Sequence, residues 1–232
     1  MNDARRGHWL GWWLRRSETG LVVAIVVVAA LTAILDPIHT YWTDSWLSAL
    51  LIVRPAVMLG IFALGSAIVI ISGGIDLSSG SMIAFGGTTC ATIMLVLDPG
   101  GIDRGNVAVG VIAVAIAGTI LVGFLVGSLH AWLITVIGLP PFIATLATLV
   151  GLRSFGRAMV ELISGDMAAR KILPQSITQI SVSDPKFRAL ATHLWIPVAI
   201  FAVLAFLCWL LMSRTVAGRH LYALGGNEQA AR

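Results

Sequence analysis

The stretch from Ile68 to Gly87, IVIISGGIDLSSGSMIAFGG, constrains this chain more than any other. Residues 55–97 hold one charged side chain, Asp76, with 21 uncharged residues before it and 21 after it. A carboxylate at the centre of a membrane helix costs about 2.5–3.5 kcal/mol on insertion scales, so it requires water, a partner or a break in the helix. Gly73 and Gly74 supply the break, and Asp76, Ser78 or Ser79 can cap the helix that follows. An acceptor there takes backbone N–H bonds at the positive end of the helix dipole. Two placements fit. The motif is either a tight turn at one membrane face, with flanks of about 20 residues that each cross alone, or a re-entrant break lining a polar cavity inside the bilayer.

Composition supports the membrane reading. Hydrophobic residues make up 58% of the 232 and charged residues 11%, against about 25% charged in a soluble domain; mean hydropathy is +0.94. The expected fold class is all-α, a polytopic transmembrane helical bundle. The net charge of +4 comes from arginines at the ends and in connections, which is topological patterning rather than a nucleic-acid footprint. Cys90 and Cys208 lie in apolar runs and read as small hydrophobes, without disulfide or metal-ligand spacing.

Six apolar runs follow one another along the chain. Residues 1–16, MNDARRGHWLGWWLRR, place Trp9, Trp12 and Trp13 among four arginines, as a basic cytoplasmic flank or an interfacial segment would. Thr19–Leu35 is the first run, read as a retained span because Asp36-Pro37, not a small-residue cleavage site, comes next. Tyr41, Trp42 and Trp46 suit an outer interface. A second span is expected from about Leu47 to Ile71 and a third from about Ser79 to Leu97, followed by the turn-rich DPGGIDRG. Residues 105–152 carry no Asp, Glu, Lys or Arg and hold two spans, with Gly138-Leu139-Pro140-Pro141 as a helix stop between them. The first of these carries Ala115, Thr119, Gly123, Gly127 and Ala131 at four-residue spacing, a packing stripe, and His130 near its end reads as an interfacial hydrogen-bonding residue. Arg153 to Thr192 is the long hydrophilic connection, and His193–Met212 the sixth run. With both basic ends inside, the span count must be even, which places the 153–192 connection mainly outside.

Three stretches resemble the sugar-type permease subunits of bacterial ATP-binding-cassette importers (ribose, xylose, arabinose and galactose type). The first keeps Ala63, Gly65, Val69, Gly73, Gly74, Ile75, Asp76, Leu77, Ser78, Gly80 and Ser81 of a pattern close to A-x-G-x-x-x-V-I-x-x-G-G-I-D-L-S-x-G-S. The second, GLPPFIATLATL, includes Pro140, Pro141, Phe142 and Thr145; upstream, His130-Ala131 stands where the family has Asn-Gly. The third is the tail, which keeps Thr215, Gly218, Arg219, Ala223, Gly225, Gly226, Asn227, Ala230, Ala231 and Arg232. There Gly225-Gly226 reads as a sharp turn, Asn227 as a cap, and Glu228 to Arg232 as the start of a short helix.

The resemblance implies about six spans here of a roughly ten-span permease fold, so the chain is expected to be truncated at its C-terminal end. Residues 1–212 would form the transmembrane domain, with a cytoplasmic basic and Trp-rich start at 1–18, and 213–232 a truncated cytoplasmic coupling segment. It implies a membrane subunit that moves a monosaccharide across the bacterial inner membrane, with a helix-break motif at Gly73, Gly74, Asp76, Ser78 and Gly80. Thr215, Gly218, Arg219, Gly225, Gly226, Asn227 and Glu228 would touch a separate ATPase. The other partners implied are a periplasmic sugar-binding protein, a second permease copy or paralogue, and membrane lipid; no cofactor, metal or nucleic acid is expected. No G-x-x-x-x-G-K-[ST] occurs, and Lys171 and Lys186 lack a phosphate-cradling loop, so ATP hydrolysis falls to the partner. The competing class is a channel or ion-coupled secondary transporter using Asp76 at the broken helix. An intramembrane enzyme has neither G-x-S-G nor H-E-x-x-H to support it.

Overall fold

The computed structural model describes residues 17–36 and 43–227. The basic, Trp-rich start at 1–16, the aromatics Tyr41 and Trp42, and Glu228, Ala230, Ala231 and Arg232 of the tail lie outside the described residues. Two compact units are distinguished, Met1–Pro55 and Ala56–Arg232.

Among the described residues every regular element is a helix: α1 (Ser17–Leu35), α2 (Ser45–Ile71), α3 (Ser79–Leu97), α4 (Pro99–Arg104), α5 (Val109–Thr135), α6 (Pro141–Ala169), α7 (Pro185–Thr192), α8 (Trp195–Arg214) and α9 (Val216–Gly226). Five of them, α2, α3, α5, α6 and α8, are long and apolar enough to cross a membrane. The first apolar run becomes the shorter stretch Thr19–Leu35 of α1, about 26 Å long at 1.5 Å per residue. The unit boundary falls at Pro55 inside α2, where the ring removes one backbone donor from the helix. In the first unit, Asp44 begins α2 by accepting the Leu47 N–H at 3.0 Å.

In the second unit α3 is the central helix, packed chiefly on α5 and α6. Cys90 and Met94 of α3 meet Ile112 and Ala115 of α5, with Val107 closing the cluster beside the partly buried Val182 and Phe187. Small residues permit this approach. Thr119 Cγ2 stands 3.5 Å from where a Cβ on Gly86 would be, and Met82 Cε 3.5 Å from one on Gly123. The four-residue stripe on α5 is therefore only partly a packing seam: a Cβ on Gly127 would meet nothing within 4 Å.

Three local expectations change. The Pro pair does not stop a helix but starts one: α5 has already ended at Thr135, Gly138 turns the chain at φ 78°, and Pro141 occupies the first position of α6. A residue there has no intrahelical acceptor for an N–H, so proline loses nothing. Arg153, Arg157, Glu161 and Asp166 do not belong to the hydrophilic connection, because α6 continues to Ala169 and the connection begins beyond it. DPGGIDRG contains a helix, α4, capped by Asp98, whose carboxylate accepts from Gly101 N at 2.8 Å and Ala108 N at 3.2 Å, and ended by Gly105 at φ 65°.

Opposite ends of the second unit are held by different chemistry. At one end Asp184, fully buried, accepts the backbone N–H of Val107 at 2.7 Å and of Phe187 at 2.9 Å, capping α7 while tying it to the start of α5. Lys186 Nζ adds bonds to Asn106 Oδ1 at 2.9 Å and to the Val107 carbonyl at 3.3 Å. The other end gathers the α2–α3 break, the start of α6 and α9.

Candidate functional site

The break runs from Ser72 to Ser78 and joins α2 and α3, two helices of spanning length, so it is a turn at the ends of both. Gly73 closes α2 at φ 82°, a left-handed conformation that glycine adopts without steric cost. Its N–H donates to the Ile70 carbonyl at 3.0 Å, and the Gly74 N–H to the Val69 carbonyl at 2.9 Å. Asp76 then bridges forward: Oδ1 accepts the Ser78 N–H at 2.7 Å and the Ser78 hydroxyl at 2.6 Å. The cap expected of Ser78 is thus organised by Asp76, while the buried Ser81 donates to the Ser78 carbonyl at 2.7 Å. Gly80 sits in the first turn of α3 with open space around it, and no close approach there requires glycine.

Thr145 links this break to α6. Its hydroxyl lies 2.9 Å from the Pro141 carbonyl in its own helix and 3.3 Å from the Ile75 carbonyl. The same buried hydroxyl lies 3.3 Å from the Phe142 carbonyl, so Thr145 braces the glycine break from the first turn of α6, while the exposed Phe142 side chain takes no part and Pro140 only caps α6.

The tail folds back onto the same place. Thr215 Oγ1 accepts the Gly218 N–H at 3.1 Å, starting α9 directly after α8. Gly218 is required at this corner, because a Cβ would fall on the Leu211 and Met212 carbonyls. The expected Gly225-Gly226 turn is absent: both glycines lie in the last turn of α9, and Asn227 at its C-cap donates its N–H to the Ala223 carbonyl at 3.0 Å. Glycine at 225 is explained by contact instead. Its position against Ile71 and Gly73 leaves no room for a side chain. Gly226 faces open space and Arg219 is exposed.

Above the break lies a cavity of about 550 Å³ between α2, α3 and α5, within the roughly 300–1,000 Å³ of small-molecule sites. Its polar lining comes from Ser66, Asp76, Ser78, Ser79, Thr119 and His130. His130 Nε2 lies 2.7 Å from Thr148 Oγ1 on α6, which fixes the ring across the helix interface. Gly123 and Gly127 of the stripe line the same cavity. Four-residue spacing by itself reads as packing, since spacing reports which residues share a face and not what the face meets. Hydroxyls, one carboxylate and one imidazole on a largely apolar wall can orient a small polar solute through hydrogen bonds.

These features define a class: a multi-pass helical membrane protein with a solute-sized cavity over a braced helix break. The family described as branched-chain amino acid transport system / permease component matches residues 48–232, and the chain belongs to it. It is 34% identical over 180 residues to the autoinducer 2 import system permease protein LsrD of Photorhabdus luminescens, covering 76% of this chain and 48% of that one. The protein of the same name from Yersinia pestis (strain Pestoides F) is 35% identical over 180 residues, with 76% and 48% covered, and that of Enterobacter sp. (strain 638) 34% over 178 residues, with 76% and 49%. The chain spans about half the length of these relatives. No solved structure matches it.

Proposed function

We propose that this chain is membrane-embedded material of an ATP-binding-cassette importer in the bacterial inner membrane, carrying a monosaccharide past the cavity above Asp76. In this reading residues 1–212 belong to its membrane domain and 213–232 to its cytoplasmic coupling segment, with a separate ATPase and a periplasmic sugar-binding protein as partners and a second permease copy or paralogue completing the pathway. The observation that carries this reading is the seating of α9 on the glycine break: Gly225 touches Ile71 and Gly73, three residues before the carboxylate that lines the cavity. A push on α9 reaches the cavity floor through backbone, without intervening flexible side chains. The ion-coupled alternative is less favoured, because Asp76 Oδ1 is already engaged by two donors from Ser78.

The test is reconstitution of the full-length permease with its cognate ATPase and binding protein in liposomes. Uptake that requires ATP and loaded binding protein, and that is insensitive to dissipating ion gradients, is expected. Uptake driven by a proton or sodium gradient without the ATPase would overturn the reading.

A further inference from the structure

We propose that Arg153 and Arg157 of α6 form an oxyanion-binding site at mid-height of the bundle, taking a small solute that carries a carboxylate or phosphate beside hydroxyls. The two arginines are one turn apart, so they share a face of α6. They line a cavity of about 370 Å³ with Phe85, Thr88, Gly156 and Thr178. A second cavity of about 270 Å³ shares Ala84, Thr88, Val160 and Thr178 with it and is lined further by Gln179 from the connection after α6.

Depth makes these charges informative. Gly156, between the two arginines, packs on α3 at its middle: a Cβ there would lie 3.4 Å from Phe85 Cδ2 and 3.9 Å from Thr88 Cγ2. The Phe155 and Phe85 ring centroids are 5.7 Å apart. Thr88 is the central residue of the 19-residue α3, so each end of that helix lies about 13 Å away. That is too far for a guanidinium to snorkel to headgroup level. Charge compensation is also missing. Among the described residues no carboxylate lies within 4.0 Å of either guanidinium. Asp166 is held by Arg170 at 2.8 Å, and Glu161, one turn beyond Arg157, does not pair with it. Two like charges one turn apart repel, and unpaired arginines at membrane depth are costly. An oxyanion between two planar guanidinium forks removes both penalties, while the Thr88 and Thr178 hydroxyls and the Gln179 amide suit neighbouring hydroxyl groups.

The solute class rests on the importer reading, whereas anion binding does not, and the test separates them. The chain is purified into phosphatidylcholine nanodiscs and its arginines are labelled with phenylglyoxal, each site being read by peptide mass spectrometry. The probes are galacturonate and galactose, which differ only in a carboxylate against a hydroxymethyl group. Galacturonate is expected to slow labelling of Arg153 and Arg157 about tenfold when present at roughly ten times its dissociation constant. Galactose should change it less than twofold, and neither sugar should affect Arg219. Arg153→Gln and Arg157→Gln should each weaken galacturonate binding about tenfold or more with helical circular dichroism unchanged; the labelling of the unaltered chain decides the matter if either variant misfolds. Equal protection by both sugars, or none, overturns the proposal. So does protection by phosphatidylglycerol in the nanodisc without solute, which would assign the arginines to a lipid headgroup. The outcome is independent of whether any ATPase binds α9.

Discussion

Gly225 Cα stands 3.6 Å from where a Cβ on Gly73 would be, although 152 positions separate the two glycines in sequence. Two motifs that look independent along the chain, the helix break and the tail, are therefore one junction. Glycine at both positions lets the last turn of α9 and the end of α2 approach through backbone alone.

Gly225→Ala is expected to displace α9. The added carbon would fall on the Ile71 carbonyl oxygen, 2.9 Å from its carbon and 3.3 Å from Gly73 N. Backbone cannot rotate away as a side-chain tip can, so overpacking of about 1–3 kcal/mol is expected. Gly226→Ala meets nothing within 4 Å and is the control. Faster tryptic cleavage at Arg219 in detergent, and weaker co-purification of the cognate ATPase with the full-length permease, should mark the first variant only.

Gly73→Ala tests the break itself. At φ 82° a Cβ costs about 1–2 kcal/mol, which should lower the unfolding midpoint in detergent. Gly127→Ala, in helical backbone with open space, should leave it unchanged or slightly raised. Equal midpoints for the two variants would count against the left-handed turn.

At Asp76, Asn and Leu should part company. The Asn carbonyl oxygen still accepts from the Ser78 N–H and hydroxyl, whereas Leu leaves both donors without it. The loss expected for Leu is about 1–3 kcal/mol, read as thermal stability in detergent. In the full-length permease Asp76→Asn should keep most uptake. If Asn is as harmful as Leu, the charge itself is used.

Asp184 sets a pH dependence at the opposite end. The Phe187 N–H is the main cause of a carboxyl held below its ordinary value of 3.8, with Val107 N–H and Lys186 acting in the same direction and burial opposing them. A depressed folded value means the stabilisation is fully present above about pH 4–5 and is lost as pH falls through the folded value. Acid titration of the unfolding midpoint should therefore show a loss below pH 4 that is diminished in Asp184→Asn.

Membrane sidedness follows from placing Arg214 and Arg219 inside. A maleimide that cannot cross the membrane should label Ser183→Cys, at an exposed position before α7, from the periplasm and should not label Ser213→Cys at the end of α8. The reverse pattern would invert the topology and move the α9 junction to the outer face.

Much of the architecture was legible in the sequence, because in lipid every spanning segment must satisfy its own backbone and carry almost no charge. Apolar run length alone located the five helices of spanning length, α2, α3, α5, α6 and α8, though not the short α4 and α7 or the far end of α6, and Gly73-Gly74 with Asp76 marked the break, since only special backbone and a capped carboxylate are tolerated there. Local chemistry misled where two elements had to be seen together. Pro141 starts a helix because Gly138 has already turned the chain, and Gly225 is helical because its constraint is the Ile71 carbonyl rather than its own φ. Thr119 and Gly127 look alike in a stripe and both border the cavity, yet only Thr119 also packs on Gly86. Arg153 and Arg157 resemble the start of a polar loop until Gly156 is found against the middle of α3. In each case the deciding partner is distant in the chain, and periodicity reports which face a residue occupies but not what occupies the space in front of it.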